Sequence, residues 1–210
     1  MIKAVIFDVD GVLLDSFASN VEFFNGLLAE FGYRGPTAED YKSMYHMPMW
    51  DVIKTMTGIK DDREVEKIWR RGQEPSARTR LVAKMPIDAQ RVVQDLWAKY
   101  KLGVVSGRTR SGIFGEGLKN LQKYFSVAIG YEDTKNHKPH PEPLLLAAKL
   151  VGVMPTECIY IGDALTDVQA GNAAGMKTIV YGEKKLEGAD ALARSFTELS
   201  GVITGICKEK

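Results

Sequence analysis

Met1-Ile-Lys-Ala-Val-Ile-Phe-Asp-Val-Asp-Gly-Val-Leu-Leu-Asp-Ser16 opens the chain, and its reading decides the fold. Ala4 to Phe7 is an unbroken apolar run, as in a central parallel strand buried on both faces; a half-wet strand would alternate. Asp8 and Asp10 stand where that strand leaves the sheet, and open α/β sheets bind ligands beyond the carboxyl ends of their strands. Gly11 permits a sharp turn and brings its N–H close to whatever the acids hold. Two carboxylates beside a buried strand repel one another and lose hydration, so they need a partner, and a metal ion supplies one. An Asp-x-Asp pair can equally cap a solvated turn, so the rest of the chain has to decide.

Beyond Asp15 the period changes. Phe17, Val21, Phe24, Leu28 and Phe31 recur at i+4 and i+3 steps, which predicts one apolar helical face ended by Gly32. Thr37 with Asp40 resembles a capping box and starts a short helix through Tyr41, Met44 and Tyr45, which Pro48 breaks. Met49 to Thr57 predicts a third helix ending at Gly58. Asp61 or Asp62 caps a fourth that carries Val65, Ile68 and Trp69. No strand pattern interrupts residues 15–84, so this stretch reads as a helical cap inserted after the first strand.

From Met85 strands and helices alternate. Val92, Val93, Leu96 and Trp97 predict a helical face, and Leu102 to Val105 a buried strand that delivers Ser106 to its carboxyl end. A glycine-weakened helix through Ile113, Leu118 and Leu121 follows, then a strand at Val127 to Ile129 and a polar loop from Tyr131 to His140. Pro141 opens a helix with Leu144, Leu145, Ala148 and Val151 inward. Cys158 to Ile161 is a strand ending at Gly162-Asp163, a helix from Leu165 runs to Gly175, and Lys177 to Tyr181 is a fifth strand. One more helix, and an edge strand near Val202, are expected after Gly182. Such alternation implies an α/β fold: a doubly wound parallel sheet with right-handed crossovers, formed by residues 1–14 and 85–210.

Composition agrees with a soluble two-part chain. Its 210 residues are 45% hydrophobic and 26% charged, with a formal net charge of +1, which argues against nucleic-acid binding or a polybasic membrane protein. No signal peptide or membrane span is visible, so a cytoplasmic location is expected. Cys158 reads as core and Cys207 as incidental; the pair makes neither a disulfide framework nor a zinc site. Nothing in the sequence speaks to oligomeric state.

The predicted strands end in polar residues of matching type: Asp8 and Asp10, Ser106-Gly107-Arg108, Lys138 in the loop after the third, and Gly162-Asp163 through Asp167. Two acids near each end of the chain, one lysine and one hydroxyl are what phosphoryl transfer through an aspartyl phosphate requires. A carboxylate attacking a phosphate ester faces anion repulsion, which a hard cation such as Mg²⁺ removes. Asp8 and Asp163 are the expected side-chain ligands, and Asp10 lends a backbone carbonyl while its carboxyl serves as general acid and base. Ser106 and the Gly107 N–H bind phosphoryl oxygens together with Gly11. Lys138 offsets charge, and Asp167 orients Lys138 or metal-bound water.

These motifs resemble those of the haloacid dehalogenase superfamily of phosphohydrolases: Asp8-Val-Asp-Gly-Val12, Val105-Ser-Gly107, Lys138-Pro139, and Gly162-Asp163 through Asp167. The insertion after the first motif resembles the helical cap of the phosphoglycolate phosphatase and β-phosphoglucomutase branch, with Asp15 and Ser16 at its hinge. The resemblance implies a Mg²⁺-dependent phosphatase acting on a small phosphate ester, phosphoglycolate first among them. A phosphomutase of the β-phosphoglucomutase type would carry the same motifs, and a non-catalytic binding module would keep only the fold. An acid at Asp10 departs from the dehalogenases proper and from phosphonatases. Ala164 stands where close relatives often carry Ser or Thr, and Arg108 adds a charge beside the phosphate pocket that either binds substrate or faces solvent.

Other features read more plainly. His137 and His140 are expected to face solvent, and Arg70, Arg71, Arg78, Arg80 and Lys84 to form a solvated helical face. Met44, Met47, Met49, Trp50 and Met56 suit packing within the helical bundle. Gly115 and Gly117 have no strand before them and make no dinucleotide fingerprint.

Overall fold

The computed structural model describes residues 1–77, 83–115 and 117–208. Its centre is a parallel sheet of six strands: β1 (Ala4–Phe7), β2 (Lys101–Val105), β3 (Val127–Ile129), β4 (Cys158–Gly162), β5 (Lys177–Tyr181) and β6 (Ala191–Ala193). They lie in the order β3-β2-β1-β4-β5-β6. β1 is therefore interior, and Phe7 sits in register with Val104 of β2 and Ile161 of β4.

Successive side chains of β1 point to opposite faces, and each face has its own core. Val5 and Phe7 pack toward α5 (Ala89–Trp97) and α9 (Phe196–Lys208), through Val92, Leu96, Phe196 and Leu199. Phe7 stacks on Phe196 with the rings 6° from parallel and meets Phe125 edge-on. Ala4 and Ile6 pack instead toward α7 (Glu142–Val151) and α8 (Leu165–Ala173), through Leu144, Ala147, Ala148 and Ala170. Two apolar faces explain why β1 reads as a continuous hydrophobic run.

Among the described residues, four helices lie between β1 and α5: α1 (Phe17–Ala29), α2 (Ala38–Lys42), α3 (Met49–Thr57) and α4 (Asp62–Gln73). They bury Leu27, Leu28, Ile53, Val65 and Ile68 in one cluster and Phe24, Tyr41, Met44 and Val52 in another. No buried residue of these clusters belongs to the sheet cores. Thr37 and Asp40 form a reciprocal capping box at α2, worth about 1 kcal/mol by analogy with other caps. Asp61 caps α4 through the Arg63 N–H, and Gly58 ends α3 in the left-handed region. The chain enters and leaves this helical unit side by side: the Asp15 N–H donates to Lys84 O at 2.8 Å.

Several local expectations change. α2 stops at Lys42, and residues 43–46 form turns that still bury Met44. Phe31 falls beyond the end of α1 and is 38% exposed. The helix expected through Ile113, Leu118 and Leu121 is instead a single turn, α6 (Arg110–Ile113), and a separate 3-10 segment at Lys119–Tyr124. Gly112, Gly115 and Gly117 weaken helical continuity there, while burial of all three apolar residues holds the path. In α7 the inward stripe is Leu144, Ala147, Ala148 and Val151, the i, i+3, i+4, i+7 set, and Leu145 faces outward. Trp97 likewise lies outward, edge-on to Tyr124. The edge strand precedes the last helix, and Val202 lies within α9.

Candidate active site

The carboxyl edge of the sheet gathers the acids. Asp8 follows the last residue of β1, is 7% exposed and accepts a hydrogen bond from the Val9 N–H at 2.7 Å. β4 ends at Gly162, followed by Asp163. Gly11 lies across from it with φ +75°, and a Cβ there would stand 1.8 Å from Asp163 Oδ2. The turn therefore needs glycine twice over, for its left-handed backbone and for room beside a carboxylate. Gly162 is equally constrained, since a Cβ would meet Asp167 Cβ at 2.3 Å.

Asp167 organises the rear of the site. Its Oδ2 accepts from the Asp163 and Ala164 N–H groups at 3.1 and 3.0 Å, so the first turn of α8 folds back onto its own acid. Its Oδ1 accepts from Lys138 Nζ at 2.6 Å and from the Tyr160 hydroxyl at 3.1 Å. Lys138, delivered by the loop after β3, also donates to Asp8 Oδ2 at 2.8 Å and to Tyr160 Oη at 3.0 Å. All of its proton positions are used. Burial works against the ammonium, but Asp167 and Asp8 outweigh it and hold its pKa well above the ordinary range.

Asp10 has a different set of partners. Arg108 grips its carboxylate with both prongs, Nη2 to Oδ1 at 2.6 Å and Nε to Oδ2 at 2.8 Å. The Ser16 hydroxyl donates to Oδ1, and Asn20 Nδ2 lies 3.5 Å from it. Burial opposes ionisation of Asp10, but Arg108, Ser16 and Asn20 prevail and lower its pKa. Asp8 and Asp163 go the other way. Burial raises Asp8 to about 7, with Lys138 opposing and Asp167 and Asp10 adding to the rise. Burial, then the charges of Asp8 and Asp167, raises Asp163 to about 8.

The charge balance explains that pattern. Asp8, Asp10, Asp163 and Asp167 face two permanent cations, Lys138 and Arg108, so full ionisation leaves two negative charges uncompensated. Ligand atoms of Asp8, Asp163 and Asp167 lie within 4.8 Å of one another. Asp163 Oδ1 is buried without a hydrogen-bond partner. His46 Nδ1 stands 3.7 Å from it, beyond hydrogen-bond reach, and burial lowers the His46 pKa, so the contact is no ion pair at neutral pH. An orphaned carboxylate oxygen in an all-oxygen donor set with two surplus negative charges fits a hard divalent cation.

Ser106, at the end of β2, is buried, and its Oγ accepts the Arg108 N–H at 3.2 Å. Ser106, Gly107, Asp8 and Lys138 all line one cavity of about 320 Å³. The helical unit supplies its far wall, including Phe23, Met49 and Trp69. Asp10, Arg108 and Asp167 line it too, whereas Gly11 and Asp163 are not among its lining residues; Asp163 joins the group through Asp8 and Asp167.

Some contributors had no clear sequence signal. Tyr160 reads as an ordinary strand residue, yet its hydroxyl joins Lys138 to Asp167. His46 lies in a turn between helices, where nothing distinguishes it. Arg108 is tied to Asp10 instead of facing solvent. His137 lines the cavity, stacked on Tyr131 at 4.0 Å with Trp69 beyond, while His140 is exposed as expected. Arg70 and Arg71 pair with Glu66 and Glu30, as a solvated face would; Arg78 and Arg80 lie outside the described residues.

A sequence model of haloacid dehalogenase-like hydrolases matches residues 5–181. A phosphoglycolate phosphatase of Xylella fastidiosa is 30% identical over 188 residues, covering 85% of this chain and 79% of its own length. A pyrophosphatase of Bacillus pumilus is 28% identical over 178 residues, covering 84% and 82%. The solved structure of a haloacid dehalogenase-like hydrolase from Bacteroides fragilis superposes with a TM-score of 0.83 at 26% identity, covering 95% of this chain and all of that one.

Proposed function

Because the chain belongs to the haloacid dehalogenase-like hydrolase family, we propose that it is a Mg²⁺-dependent phosphatase that hydrolyses a small phosphorylated metabolite through a phosphorylated Asp8. In this reading residues 1–14 and 85–210 are the catalytic core and residues 15–84 are a cap, supported by the separate apolar clusters of the helices. Asp8 and Asp163, with the Asp10 carbonyl, would hold Mg²⁺, whose charge offsets the repulsion between nucleophile and phosphate.

The Ser106 hydroxyl and the Gly107 N–H bind phosphoryl oxygens, and Lys138, held on Asp8, offsets their charge; the Gly11 N–H, expected to join them, is instead donated to Leu14 O at 2.8 Å, so Gly11 serves the turn and the room beside Asp163. An Asp8 oxygen attacks phosphorus, the bond to the leaving oxygen breaks, and that oxygen takes a proton from the Asp10 carboxyl. Water then attacks the phosphorus of the aspartyl phosphate and gives its proton to Asp10, releasing phosphate and restoring Asp8. Asp167 keeps Lys138 aimed at Asp8 by holding it from behind. A closed cap excludes water during the first transfer. The setting is cytoplasmic, with neither nucleic acid nor membrane as a partner; among the described residues no helix is long and apolar enough to cross a membrane.

The observation that carries this reading is a buried Asp8 with Lys138 at 2.8 Å and, beside it, Asp163 with an unpartnered oxygen, ligand atoms of the two acids lying within 4.8 Å. The test is hydrolysis of p-nitrophenyl phosphate with Mg²⁺, with and without chelator, in wild type and Asp8→Asn. Chelation is expected to abolish turnover, and Asp8→Asn to lower kcat by about a thousandfold or more, as removal of a nucleophile does. Turnover that ignores both changes would overturn the reading. Isomerised monophosphate from a sugar bisphosphate, in place of free phosphate, would assign a phosphomutase.

A further inference from the structure

The wall of the cavity beyond the phosphoryl site is largely aromatic and apolar, with Phe23, Phe24, Met49, Trp69 and Tyr131 on it. Lysine and arginine occur among its described lining residues only as Lys138 and Arg108. Lys138 is spent on Asp8, Asp167 and Tyr160. Among the described residues the Arg108 guanidinium bonds Asp10 alone, and Arg108 stands two residues after Ser106 on the lining of the same cavity. That pairing conflicts with the proton transfers assigned to Asp10. A carboxylate whose two oxygens both face a guanidinium fork is not presenting a proton to a leaving oxygen.

Resting on the phosphatase reading above, we propose that Arg108 selects substrates whose leaving group carries a second anionic group, a carboxylate or a further phosphate. That anion takes the guanidinium from Asp10 and so frees the acid for the leaving oxygen. The exchange keeps Arg108 paired before and after, one bidentate anion replacing another, while the released Asp10 carboxylate keeps Ser16 and Asn20 and takes from water the proton that it then gives to the leaving oxygen. A neutral leaving group offers Arg108 nothing, and Asp10 stays clamped. Arg108 is thus a specificity residue that also positions the general acid.

The test uses three esters on one two-carbon skeleton: 2-phosphoglycolate, ethylene glycol bisphosphate and the neutral 2-hydroxyethyl phosphate. Wild type is expected to favour one of the anionic esters over the neutral one in kcat/KM by ten- to a hundredfold, the range for a charge-assisted hydrogen-bonded pair. The better anionic ester identifies the carboxylate or the phosphate as the group read. In Arg108→Gln the preference is expected to fall within about threefold, and Arg108→Lys to restore part of it. Metal-free calorimetry on Asp8→Asn should show the same order of binding, which is lost when Arg108→Gln is added. A wild-type ratio near one, alongside intact chelator-sensitive turnover of p-nitrophenyl phosphate, would overturn the proposal and leave the phosphatase reading standing. So would an Arg108→Gln variant that slows all three esters equally. Absence of turnover on every ester would overturn both. The wild-type ratio and the calorimetry on Asp8→Asn alone decide the matter even if the Arg108 variants do not fold.

Discussion

Replacing Asp163 by Asn should make the metal-free protein more stable while removing its response to Mg²⁺. Burial, with Asp8 and Asp167 nearby, raises Asp163 from an ordinary 3.8 to about 8. Between those values the folded protein keeps a proton that the unfolded chain has released, so stability falls as pH rises through that window. At about 1.4 kcal/mol per pH unit, the cost of carrying this group is about 2 kcal/mol at pH 5 and about 5 kcal/mol at pH 8. An Asn amide in the same place carries no charge and costs roughly 1–3 kcal/mol to bury. The variant should therefore gain roughly 2–4 kcal/mol at pH 8 and almost nothing at pH 5. For a chain of this length that is a rise in Tm of roughly 5–15 °C at pH 8. Relief of the repulsion on Asp8 adds to the gain. Thermal unfolding followed by circular dichroism in chelator, at both pH values, measures it. Excess Mg²⁺ should raise the wild-type Tm and leave Asp163→Asn unmoved. A variant that melts below wild type at pH 8, or a wild type whose metal-free Tm does not fall from pH 5 to pH 8, would refute the charge accounting.

Lys138→Ala removes the counter-charge of two buried acids, and kcat on p-nitrophenyl phosphate should fall by about 10²–10³. Its metal-free form should also lose about 3–5 kcal/mol, read by urea unfolding, since it strands the carboxylates. Gly11→Ala forces a side chain into the left-handed region and against Asp163 Oδ2. Mg²⁺ affinity by calorimetry should drop at least tenfold as Asp163 is pushed aside. Tyr160→Phe deletes the hydroxyl between Lys138 and Asp167. It should cost about 1 kcal/mol by chemical denaturation, with a smaller loss of kcat than Lys138→Ala.

Much of this molecule is legible in its residues because the relevant signals are local. An apolar run without alternation is a strand with two covered faces, and Ala4 to Phe7 has a separate core on each side. The capping box at Thr37 and the stop at Gly58 depend on neighbours a few positions away. Where expectations slipped, tertiary contacts outweighed local ones. Leu145 and Trp97 are apolar but fall on the wrong side of helices whose inner stripe is already filled. The segment from Gly112 to Tyr124 carries apolar residues at helical spacing, yet burial of Ile113, Leu118 and Leu121 is met by a broken path.

The parallel sheet, the inserted helices and the acids, hydroxyl and lysine at the ends of the strands can be read from the residues alone, because each is written in periodicity or in a short motif. Who holds whom emerges with the packing: Arg108 on Asp10, Tyr160 between Lys138 and Asp167, and Asp163 with an oxygen left over. Those pairings join residues up to 98 positions apart, and they are set by distance and by the shortage of positive charge in a buried space. Neither quantity exists until the strands have packed side by side.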